Sequence, residues 1–447
     1  MSISNHATID RMPIDSLRPF ETVVRRHPKK QEAILQRGLQ KFGQVIPVPV
    51  TPDYRIIDLE AVWNALKKNG ATHVDVVVVE NKSPEEYKAL RLALNRIALD
   101  AVWDDEGLRT VLEELISVDF DLDLTGFSAP EIDLRLNLDL PQANVEENGS
   151  DIPALEAIAI SARGVIWDLG NNNYVGCGDA TDPEFVNRVL NGRLADVAFI
   201  DAPYNIKIAG FVSGKGKHHH REFVQGSGEL STPEFSSFLG KTFAALRPNC
   251  AAASLIFSCI DWRHLAEMNV AAETTGLRLY NICVWVKANA GMTGGIYRNA
   301  HEFVCVYANG TEAPLNNVEL GRHGRNRTNV WSYPGTSSFS KERAQLLELH
   351  PTVKPVAMIA DVLRDVTRRG DIVVDTFLGS GSTLMAAHET GRVCCGCDLD
   401  PLYVDVTVRR WQQRTGREAV CVETGETFDA IARLRQSTAT QVENDGT

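Results

Sequence analysis

The spacing of apolar and polar residues predicts two regions of alternating strands and helices. In the first region, 46–50 and 74–79 are apolar and β-branched, as is typical of strands, whereas 31–41 and 60–68 have helical spacing. From about residue 160 onward, short apolar runs end in polar or Gly-rich turns and alternate with helical segments. These runs are 195–200, 252–257, 282–286, 303–307, 372–374 and 393–397. The alternation predicts an α/β protein with a largely parallel sheet flanked by helices.

Changes in composition along the chain indicate where its domains end. Residues 1–140 read as a small α/β module that closes with acidic amphipathic helices from residue 101 onward. The stretch 141–160 begins with polar residues that have no apolar periodicity, which is typical of a linker. We expect the second domain to occupy 161–425 and a C-terminal tail to occupy 426–447.

Composition limits the class of protein. The chain has 447 residues, of which 44% are apolar, and this is enough for a sizeable core. No apolar stretch reaches the roughly 18 residues that cross a bilayer, and the polar N-terminus lacks a secretory core, so we expect no membrane contact. The nine cysteines lie mostly in apolar runs, and we interpret them as reduced thiols of a cytoplasmic protein.

The net negative charge of the chain does not exclude a nucleic-acid partner. The chain carries −12, which by itself argues against a polyanionic partner. Residues 101–160, however, hold fifteen acids and two arginines, a net −13, so −12 less −13 leaves about +1 for the other 387 residues. A local basic groove for nucleic acid is therefore compatible with the sequence.

A Gly-rich turn follows the apolar run that ends at Asp375. Phe377, Gly379 and Gly381 lie in this turn, and a helical segment follows it. Glycines let the backbone approach a ligand closely, and the free N–H groups at a helix start favour anionic or polar groups. The next apolar run ends in Asp398, about 20 residues further on, where dinucleotide-binding folds place an acid for ribose hydroxyls. This spacing favours a nucleoside cofactor, although the full Gly-x-Gly-x-x-Gly of NAD proteins is missing.

Two further acids follow predicted strands. Asp179 comes after the apolar stretch 174–178, and a helix N-cap is the alternative interpretation of this residue. Asp201 follows the run 195–200 and begins the turn Asp201-Ala202-Pro203-Tyr204. Ligands of open α/β sheets collect at the carboxyl ends of strands, so this turn is a candidate catalytic site.

The turn from Asp201 to Tyr204 resembles the Asp-Pro-Pro-Tyr motif of S-adenosylmethionine-dependent DNA amino-methyltransferases. The segment from Phe377 to Gly381 resembles their cofactor loop, and His350-Pro-Thr-Val-Lys354-Pro resembles a further family element. The catalytic motif precedes the cofactor loop, which is the order of the circularly permuted β group. The resemblance covers about residues 160–420 and implies a Rossmann-like methyltransferase sheet with S-adenosylmethionine as cofactor.

The resemblance also implies roles for the residues of the catalytic turn. Asp201 and the backbone carbonyl of Ala202 would each accept one hydrogen of the target amino group, and this stabilises the positive charge that develops during methyl transfer. Pro203 would hold the turn, and Tyr204 would stack on a base that has left the duplex. Alanine stands where the family has its first proline but keeps the carbonyl, so we expect activity with a somewhat looser turn.

The same resemblance assigns the cofactor contacts. Asp398 would bind the ribose and Asp179 the adenine of S-adenosylmethionine. The remaining cofactor-binding residues implied by the resemblance are Asp375, Phe377, Gly379, Gly381 and Lys354.

The sequence favours adenine N6 as the methylated atom but leaves alternatives. An acid leads the motif, whereas cytosine-N4 enzymes of the family more often begin with serine. Carbon-5 cytosine methylation is disfavoured because its cysteine nucleophile typically follows a proline, and no Pro-Cys pair occurs here. The alternatives are cytosine-N4 methylation, an RNA or protein acceptor, and a catalytically inactive DNA-binding protein.

Basic residues near the catalytic motif favour double-stranded DNA as the partner. A Gly-flanked basic segment lies between the catalytic and cofactor motifs, inside the stretch of about 290–345 where the β group places target recognition. Lysines also follow the catalytic turn, beside three adjacent histidines that lack a metal-ligand partner, so we predict no metal site. The residues expected to contact DNA are Arg322, Arg325, Arg327, Lys215 and Lys217.

Residues 10–100 resemble the ParB N-terminal-like domain. The matching segments are 14–19, 42–44 with Pro47, 56–58 and 95–96. In that family a glycine and an arginine after the aspartate help to form a nucleotide-phosphate site, and the segment from Asp58 to Trp63 has neither. We therefore expect this module to position DNA or mediate self-association rather than bind CTP. A homodimer and a cognate restriction enzyme are further partners that the sequence leaves open.

Overall fold

The fold is described from a computed structural model of the chain. The described residues are 8–20, 22, 24–97, 103–118, 120–136, 152–153, 155–156, 158–206, 228–287, 297–318, 327–333 and 353–435. The chain divides into two compact units, Met1–Leu140 and Pro141–Thr447.

A three-stranded sheet organises the unit Met1–Leu140. Its strands are β1 (Ile9–Pro13), β2 (Val48–Val50) and β3 (His73–Val78), in the order β1-β3-β2, with β1 antiparallel and β2 parallel to β3. Its helices are α1 (Lys29–Phe42), α2 (Glu60–Lys68), α3 (Pro84–Ile97), α4 (Asp105–Ser117) and α5 (Ala129–Leu136). The two predicted strands and two predicted helices of this region are confirmed within two residues.

The small core of this unit joins the sheet to α2. Val48, Val50, Val74 and Val76 are at most 1% exposed, and they pack with Trp63 of α2. The Trp63 indole N–H donates to a backbone carbonyl, which satisfies the polar atom of an otherwise apolar cluster.

A ten-stranded sheet organises the unit Pro141–Thr447. Its strands are β4 (Ile166–Gly170), β5 (Asn173–Cys177), β6 (Ala195–Ile200), β7 (Cys250–Ile260), β8 (Arg278–Lys287), β9 (His301–Ala308), β10 (Val330–Tyr333), β11 (Ile372–Asp375), β12 (Val393–Asp398) and β13 (Val420–Cys421). Their order is β10-β8-β9-β7-β6-β11-β12-β5-β4-β13. The strands from β7 to β5 in this order are parallel, whereas β9, β4 and β13 pair antiparallel with their neighbours.

Helices cover both faces of this sheet. They are α6 (Pro183–Val189), α7 (Thr232–Leu246), α8 (Leu265–Thr274), α9 (Val356–Val366), α10 (Ser382–Thr390) and α11 (Pro401–Thr415). Successive strand residues point to opposite faces. Val197 and Phe199 of β6 accordingly pack with α9, α10 and α11, whereas Ala198 and Ile200 pack with α6, α7 and α8. The central strands are buried on both faces, which explains why they read as short continuous apolar runs.

One edge of the sheet gathers the candidate site. In the parallel pair β6 and β11, Ala198 lies opposite Val374, so the chain leaves both strands side by side. The antiparallel strand β9 begins at this same edge, and β8, which runs against β9, ends there, with Trp285 opposite Glu302. The topology therefore brings together segments that are far apart in the sequence.

Three parts of the predicted domain division contain residues that belong to the folded second unit. The stretch 290–345 includes β9 and β10, so two parts of the expected target-recognition region are strands of the sheet. Within 141–160, Ile152 and Ile160 are buried in the second unit. In the predicted tail, Phe428 is buried and packs edge-on against Trp167, with 5.0 Å between ring centroids. The folded unit therefore starts earlier and ends later than 161–425.

Candidate active site

The catalytic turn follows β6 at the carboxyl edge of the sheet. Both oxygens of the Asp201 carboxylate have partners: Oδ2 lies 2.6 Å from Lys354 Nζ, and Oδ1 accepts from the Tyr204 hydroxyl at 2.8 Å. The side chain of Lys354 is 5% exposed and that of Asp201 is 17% exposed. Ala202, whose carbonyl the family resemblance singles out, is 1% exposed. The turn is thus largely shielded from solvent, and both oxygens of its carboxylate are hydrogen-bonded.

A second carboxylate, Glu302 on β9, completes this charged cluster. Its Oε2 lies 3.3 Å from Lys354 Nζ and 3.0 Å from the Tyr204 hydroxyl, and its Oε1 binds Lys287 at the end of β8. The Lys354 ammonium also lies 5.3 Å from the centroid of the Tyr204 ring. Two carboxylates and two ammonium groups therefore meet around one tyrosine.

Burial and charge oppose each other in this cluster. Burial raises the pKa of Asp201, and the Lys354 ammonium counteracts that rise. Burial alone would also raise the pKa of Glu302, but Lys354 and Lys287 outweigh it and lower that pKa to about 2. Burial alone would lower the pKa of Lys354, yet the two carboxylates raise it, so this lysine stays protonated.

Lys354 lies against the catalytic aspartate. It was expected among the cofactor-binding residues, but its ammonium contacts the catalytic turn. It precedes α9 directly, and that helix packs against the face of the sheet below the turn. Lys354 is therefore part of the surroundings of Asp201.

The Gly-rich turn between β11 and α10 forms a tight loop. Gly379 and Gly381 have φ of +52° and +83°, a left-handed conformation that favours glycine. The Asp375 carboxylate accepts from the backbone N–H of Phe377 at 2.9 Å and from the Thr383 hydroxyl at 2.6 Å. These bonds fix the loop at the carboxyl end of its strand.

Asp398 holds the loop from the neighbouring strand. Its carboxylate accepts from the backbone N–H groups of Gly379 and Asp400, each at 2.9 Å. Burial raises the pKa of Asp398 to about 6 and that of Asp375 to about 7. Asp179 lies at the next strand end and accepts from both the backbone N–H and the hydroxyl of Thr181 at 2.8 Å. Asp179 thus fixes a local turn, and the helix N-cap that was its alternative interpretation is made by Asp182 instead.

The chemistry of the loop fits a polar nucleoside ligand. Among the described residues, the hydroxyl oxygens of Thr376 and Ser382 are buried and lack a hydrogen-bond partner. Both lie in or next to the glycine turn. Gly379 and Gly381 have no side chains there, so a ligand can approach the backbone closely. Unpaired buried hydroxyls are costly unless a ligand satisfies them.

The structure disagrees with the predicted DNA contact of Arg327. The guanidinium group of this residue faces α9, where its Nε lies 2.6 Å from Asp365 and its Nη1 lies 3.1 Å from Asp361. Nη1 also donates to the Tyr333 hydroxyl at 2.8 Å. Two carboxylates neutralise the charge of Arg327, so we remove it from the DNA-binding set. The other four residues of that set, Arg322, Arg325, Lys215 and Lys217, lie outside the described residues.

The described cysteines and acids show no metal centre. All nine cysteines are buried free thiols. In the described part of the chain, no three His, Cys, Asp or Glu side chains converge as metal ligands. No helix among the described residues combines the length and the apolar character that a membrane span requires.

The N-terminal unit has a left-handed residue where the ParB-like family has glycine. Leu59 precedes α2 with φ of +62°. Asn95 donates to the Asp58 carboxylate at 2.9 Å, so two of the segments that resemble the ParB-like domain contact each other through these side chains. Neither feature replaces the glycine or the arginine that the ParB-like family uses in its nucleotide-phosphate site.

Comparisons with known proteins agree with this geometry. Residues 195–409 match the N6/N4 family described as DNA methylase, and residues 106–163 match the ParB-methyltransferase helix-turn-helix domain. The second match includes α4 and α5, which the sequence interpretation treated only as acidic helices. Two parts of the chain are therefore similar to a DNA methylase domain of the N6/N4 type and to a ParB-methyltransferase helix-turn-helix domain.

Individual relatives are methyltransferases. The chain is 33% identical over 87 residues to the type II methyltransferase M.ScaI of Streptomyces caespitosus, which is 20% of this chain and 29% of that protein. It is 23% identical over 231 residues to the type II methyltransferase M2.DpnII of Streptococcus pneumoniae, 48% of this chain and 81% of that protein. The match thus spans less than a third of M.ScaI and most of M2.DpnII.

One solved structure is similar to part of this chain. The crystal structure of the M1.HpyAVI–SAM complex covers 53% of this chain and 97% of its own, with 18% identity and a TM-score of 0.39. The α/β fold of the unit Pro141–Thr447 is defined by the strand order of its ten-stranded sheet.

Sequence reasoning missed Glu302 and Lys287. Glu302 is an acid at the start of the apolar run that forms β9, and Lys287 ends the apolar run that forms β8. A charge at the end of a buried strand was the available signal, because strand ends are where an open sheet binds ligands.

Proposed function

We propose that the protein transfers a methyl group from S-adenosylmethionine to N6 of adenine in double-stranded DNA. The observation that carries the proposal is the buried Asp201 carboxylate beside the Gly-rich loop, on the neighbouring parallel strand. Asp201 and Asp375 are close enough for their charges to interact. A methyl acceptor held by Asp201 would therefore lie next to a ligand of the loop.

The residues of the turn fit an exocyclic amine as acceptor. Its lone pair is delocalised into the ring, so the amine is a poor nucleophile until its two hydrogens are held by acceptors. Asp201 and the Ala202 carbonyl supply two acceptors, and both gain strength as positive charge develops on the nitrogen. No covalent intermediate with the protein is needed.

The loop residues supply the complementary half of the proposed site. The cofactor, when bound, provides an electrophilic methyl group on a positively charged sulfur. Gly379 and Gly381 leave room for its adenosine part, Asp398 accepts from its ribose hydroxyls, and the unpaired Thr376 and Ser382 hydroxyls satisfy further polar atoms. Asp179 is proposed at its adenine, and this is the weakest of these contacts because the carboxylate already has a local partner.

An aspartate at the head of the motif supports adenine over cytosine. Cytosine-N4 methylation is the competing product, since the matched family contains both types. The names of the two type II relatives support the further proposal that methylation by this protein protects DNA from a cognate restriction enzyme. For a DNA substrate the proposal implies a cytoplasmic protein.

Asp201→Ala tests the proposed role of the catalytic turn. We expect methyl transfer to DNA to fall by at least about 100-fold, because one acceptor of the amine is lost. The affinity for S-adenosylmethionine, measured by calorimetry, should change little, because the loop is built by Asp375 and Asp398. Asp201→Asn, which keeps the shape but loses the charge, is the matched variant and should lose most of the activity as well.

Two results would contradict the proposal. Undiminished transfer by Asp201→Ala would remove this residue from catalysis. No binding of S-adenosylmethionine to the wild-type protein would favour an inactive DNA-binding protein. Competition between duplex DNA, RNA and protein acceptors for a labelled methyl group tests the choice of substrate, and we expect duplex DNA to compete best.

A further inference from the structure

Both oxygens of the Asp201 carboxylate have hydrogen-bond partners within the protein. Lys354 holds Oδ2 at 2.6 Å, and the Tyr204 hydroxyl donates to Oδ1 at 2.8 Å. An incoming amino group needs one of these oxygens as its acceptor. Each oxygen has two lone-pair sites, so the amino group can share one with its present donor, but that oxygen is the better acceptor once the donor has turned away.

Tyr204 has a second acceptor within reach, whereas Lys354 remains bound. The Tyr204 hydroxyl carries one hydrogen and lies 3.0 Å from Glu302 Oε2. A rotation of the O–H bond moves that hydrogen from Asp201 to Glu302 without moving the ring. Lys354 lies between the same two carboxylates, at 2.6 Å from Asp201 and 3.3 Å from Glu302, and is 5% exposed.

We propose that Lys354 and Glu302 are positioning residues for Asp201. Lys354 holds Oδ2 and keeps the carboxylate ionised, and Glu302 takes the Tyr204 hydroxyl so that Oδ1 is left for the amino group. This inference rests on the proposed function and adds to it the groups that prepare the acceptor. Neither residue touches the reacting atoms.

The need for Lys354 follows from the charge that Asp201 must carry. A protonated carboxyl group loses an acceptor position and gives no electrostatic stabilisation to a developing cation. Burial favours the protonated form, and a lysine at ion-pair distance favours the ionised form. The lysine therefore lowers the pKa of the acceptor and favours its ionised form.

The groups that face Asp201 come from several elements. Tyr204 lies on its own turn, Lys354 precedes α9, and Glu302 with its partner Lys287 comes from β9 and β8. Two further groups, Cys259 at the end of β7 and Asp375 at the end of β11, interact with Asp201 through their charges when ionised. Burial raises the pKa of the Cys259 thiol well above its usual value, so it stays neutral at the pH of the experiment.

Lys354→Met tests the charge role through a pH profile. Asp201 must be ionised, so activity is lost as pH falls through its pKa, and removal of the ammonium raises that pKa. We expect the acidic limb of kcat/KM for DNA methylation to move upward by about 1 to 3 pH units. Lys354→Arg keeps the charge and should return the limb toward the wild-type position. Lys241→Met, at an exposed lysine of α7, is the matched control and should not move it.

Glu302→Leu tests the acceptor role separately. Without Glu302, the Tyr204 hydroxyl stays on Asp201 and competes with the amino group, so kcat should fall. In a Tyr204→Phe background no hydroxyl competes, and the same Glu302→Leu change should cost several-fold less. The acidic limb should not move upward in Glu302→Leu, because the loss of a neighbouring negative charge favours ionised Asp201.

A direct titration separates this inference from the proposed function. Carboxyl ¹³C NMR of aspartate-labelled protein, with Asp201 assigned from Asp201→Asn, reports its ionisation without catalysis, and it should show the same upward shift in Lys354→Met. An unchanged Asp201 titration in folded Lys354→Met would overturn the charge role, and equal losses from Glu302→Leu in both backgrounds would overturn the acceptor role. A wild-type protein that transfers no methyl group would instead contradict the proposed function, while the titration would still decide the role of Lys354.

Discussion

Gly396 allows the strands β11 and β12 to pack closely behind the proposed ligand-binding loop. A Cβ atom on Gly396 in β12 would lie 2.7 Å from the backbone oxygen of Asp375 and 3.0 Å from the side chain of Leu378. A backbone oxygen cannot move aside without shifting β11. This glycine is thus required by close packing behind the loop.

Gly396→Ala should therefore disturb the loop as well as the core. We expect the free energy of unfolding to fall by about 1 to 3 kcal/mol, as for other overpacked sites, and the affinity for S-adenosylmethionine to fall with it. Gly240→Ala is the matched control, because a Cβ there meets nothing within 4 Å and the residue lies inside α7. That change should raise stability by about 0.5 to 1 kcal/mol. Denaturant unfolding and calorimetry give both values, and a neutral Gly396→Ala would contradict the close-packing interpretation.

The catalytic turn could be found from the sequence, whereas its charged partners could not. Asp201, Ala202, Pro203 and Tyr204 are contiguous and follow an apolar run. Lys354, Glu302 and Lys287 reach Asp201 only through the pairing of strands, and no spacing along the chain encodes that contact. Lys354 was selected from its motif, but the motif does not show that its ammonium lies against Asp201.

At the level of elements, the apolar runs predicted strands reliably where both faces are buried. All six runs predicted after residue 160 are strands in the structure. The strand β5 corresponds to the predicted stretch 174–178, whereas β4, β10 and β13 were not predicted because they lie toward the ends of the sheet, and most of them are short. The predicted parallel arrangement holds for the strands from β7 to β5 at the centre of the sheet. The antiparallel direction of β9 was not predicted, because an apolar run does not indicate the direction of its strand.

The cluster around Arg327 joins the segment before β10 to α9. Its arginine was expected on DNA because three arginines follow one another closely in the sequence. The structure instead pairs it with Asp361 and Asp365, which lie one turn apart on the helix. The element it stabilises is therefore internal.

Arg327→Gln should lower stability and leave the DNA electrostatics unchanged. Removing one partner of a largely buried ion pair leaves the other charge uncompensated, at a cost of about 3 kcal/mol. The slope of log affinity for DNA against log salt should equal that of the wild-type protein, because Arg327 releases no counterion. Arg322→Ala is the comparison variant, and we expect it to flatten the slope. A flatter slope in Arg327→Gln would return this residue to the DNA-binding set.

At the level of the whole molecule, charge is unevenly distributed. The net −13 of residues 101–160 coincides with most of the ParB-methyltransferase helix-turn-helix match at 106–163. Helix-turn-helix domains that bind DNA need basic surfaces for phosphate contact. We therefore expect the DNA affinity of this protein to arise mainly in the unit Pro141–Thr447, which contains the segment that matches the DNA methylase family.

The identity of the methylated atom tests the central claim most directly. Duplex DNA containing many sequence contexts is incubated with the wild-type protein and S-adenosylmethionine, digested to nucleosides and analysed by mass spectrometry, with Asp201→Ala as the parallel sample. We expect N6-methyldeoxyadenosine from the wild-type protein and none from the variant. N4-methyldeoxycytidine in its place, or equal amounts of product from both proteins, would contradict the assignment of Asp201 as the acceptor for an adenine amino group.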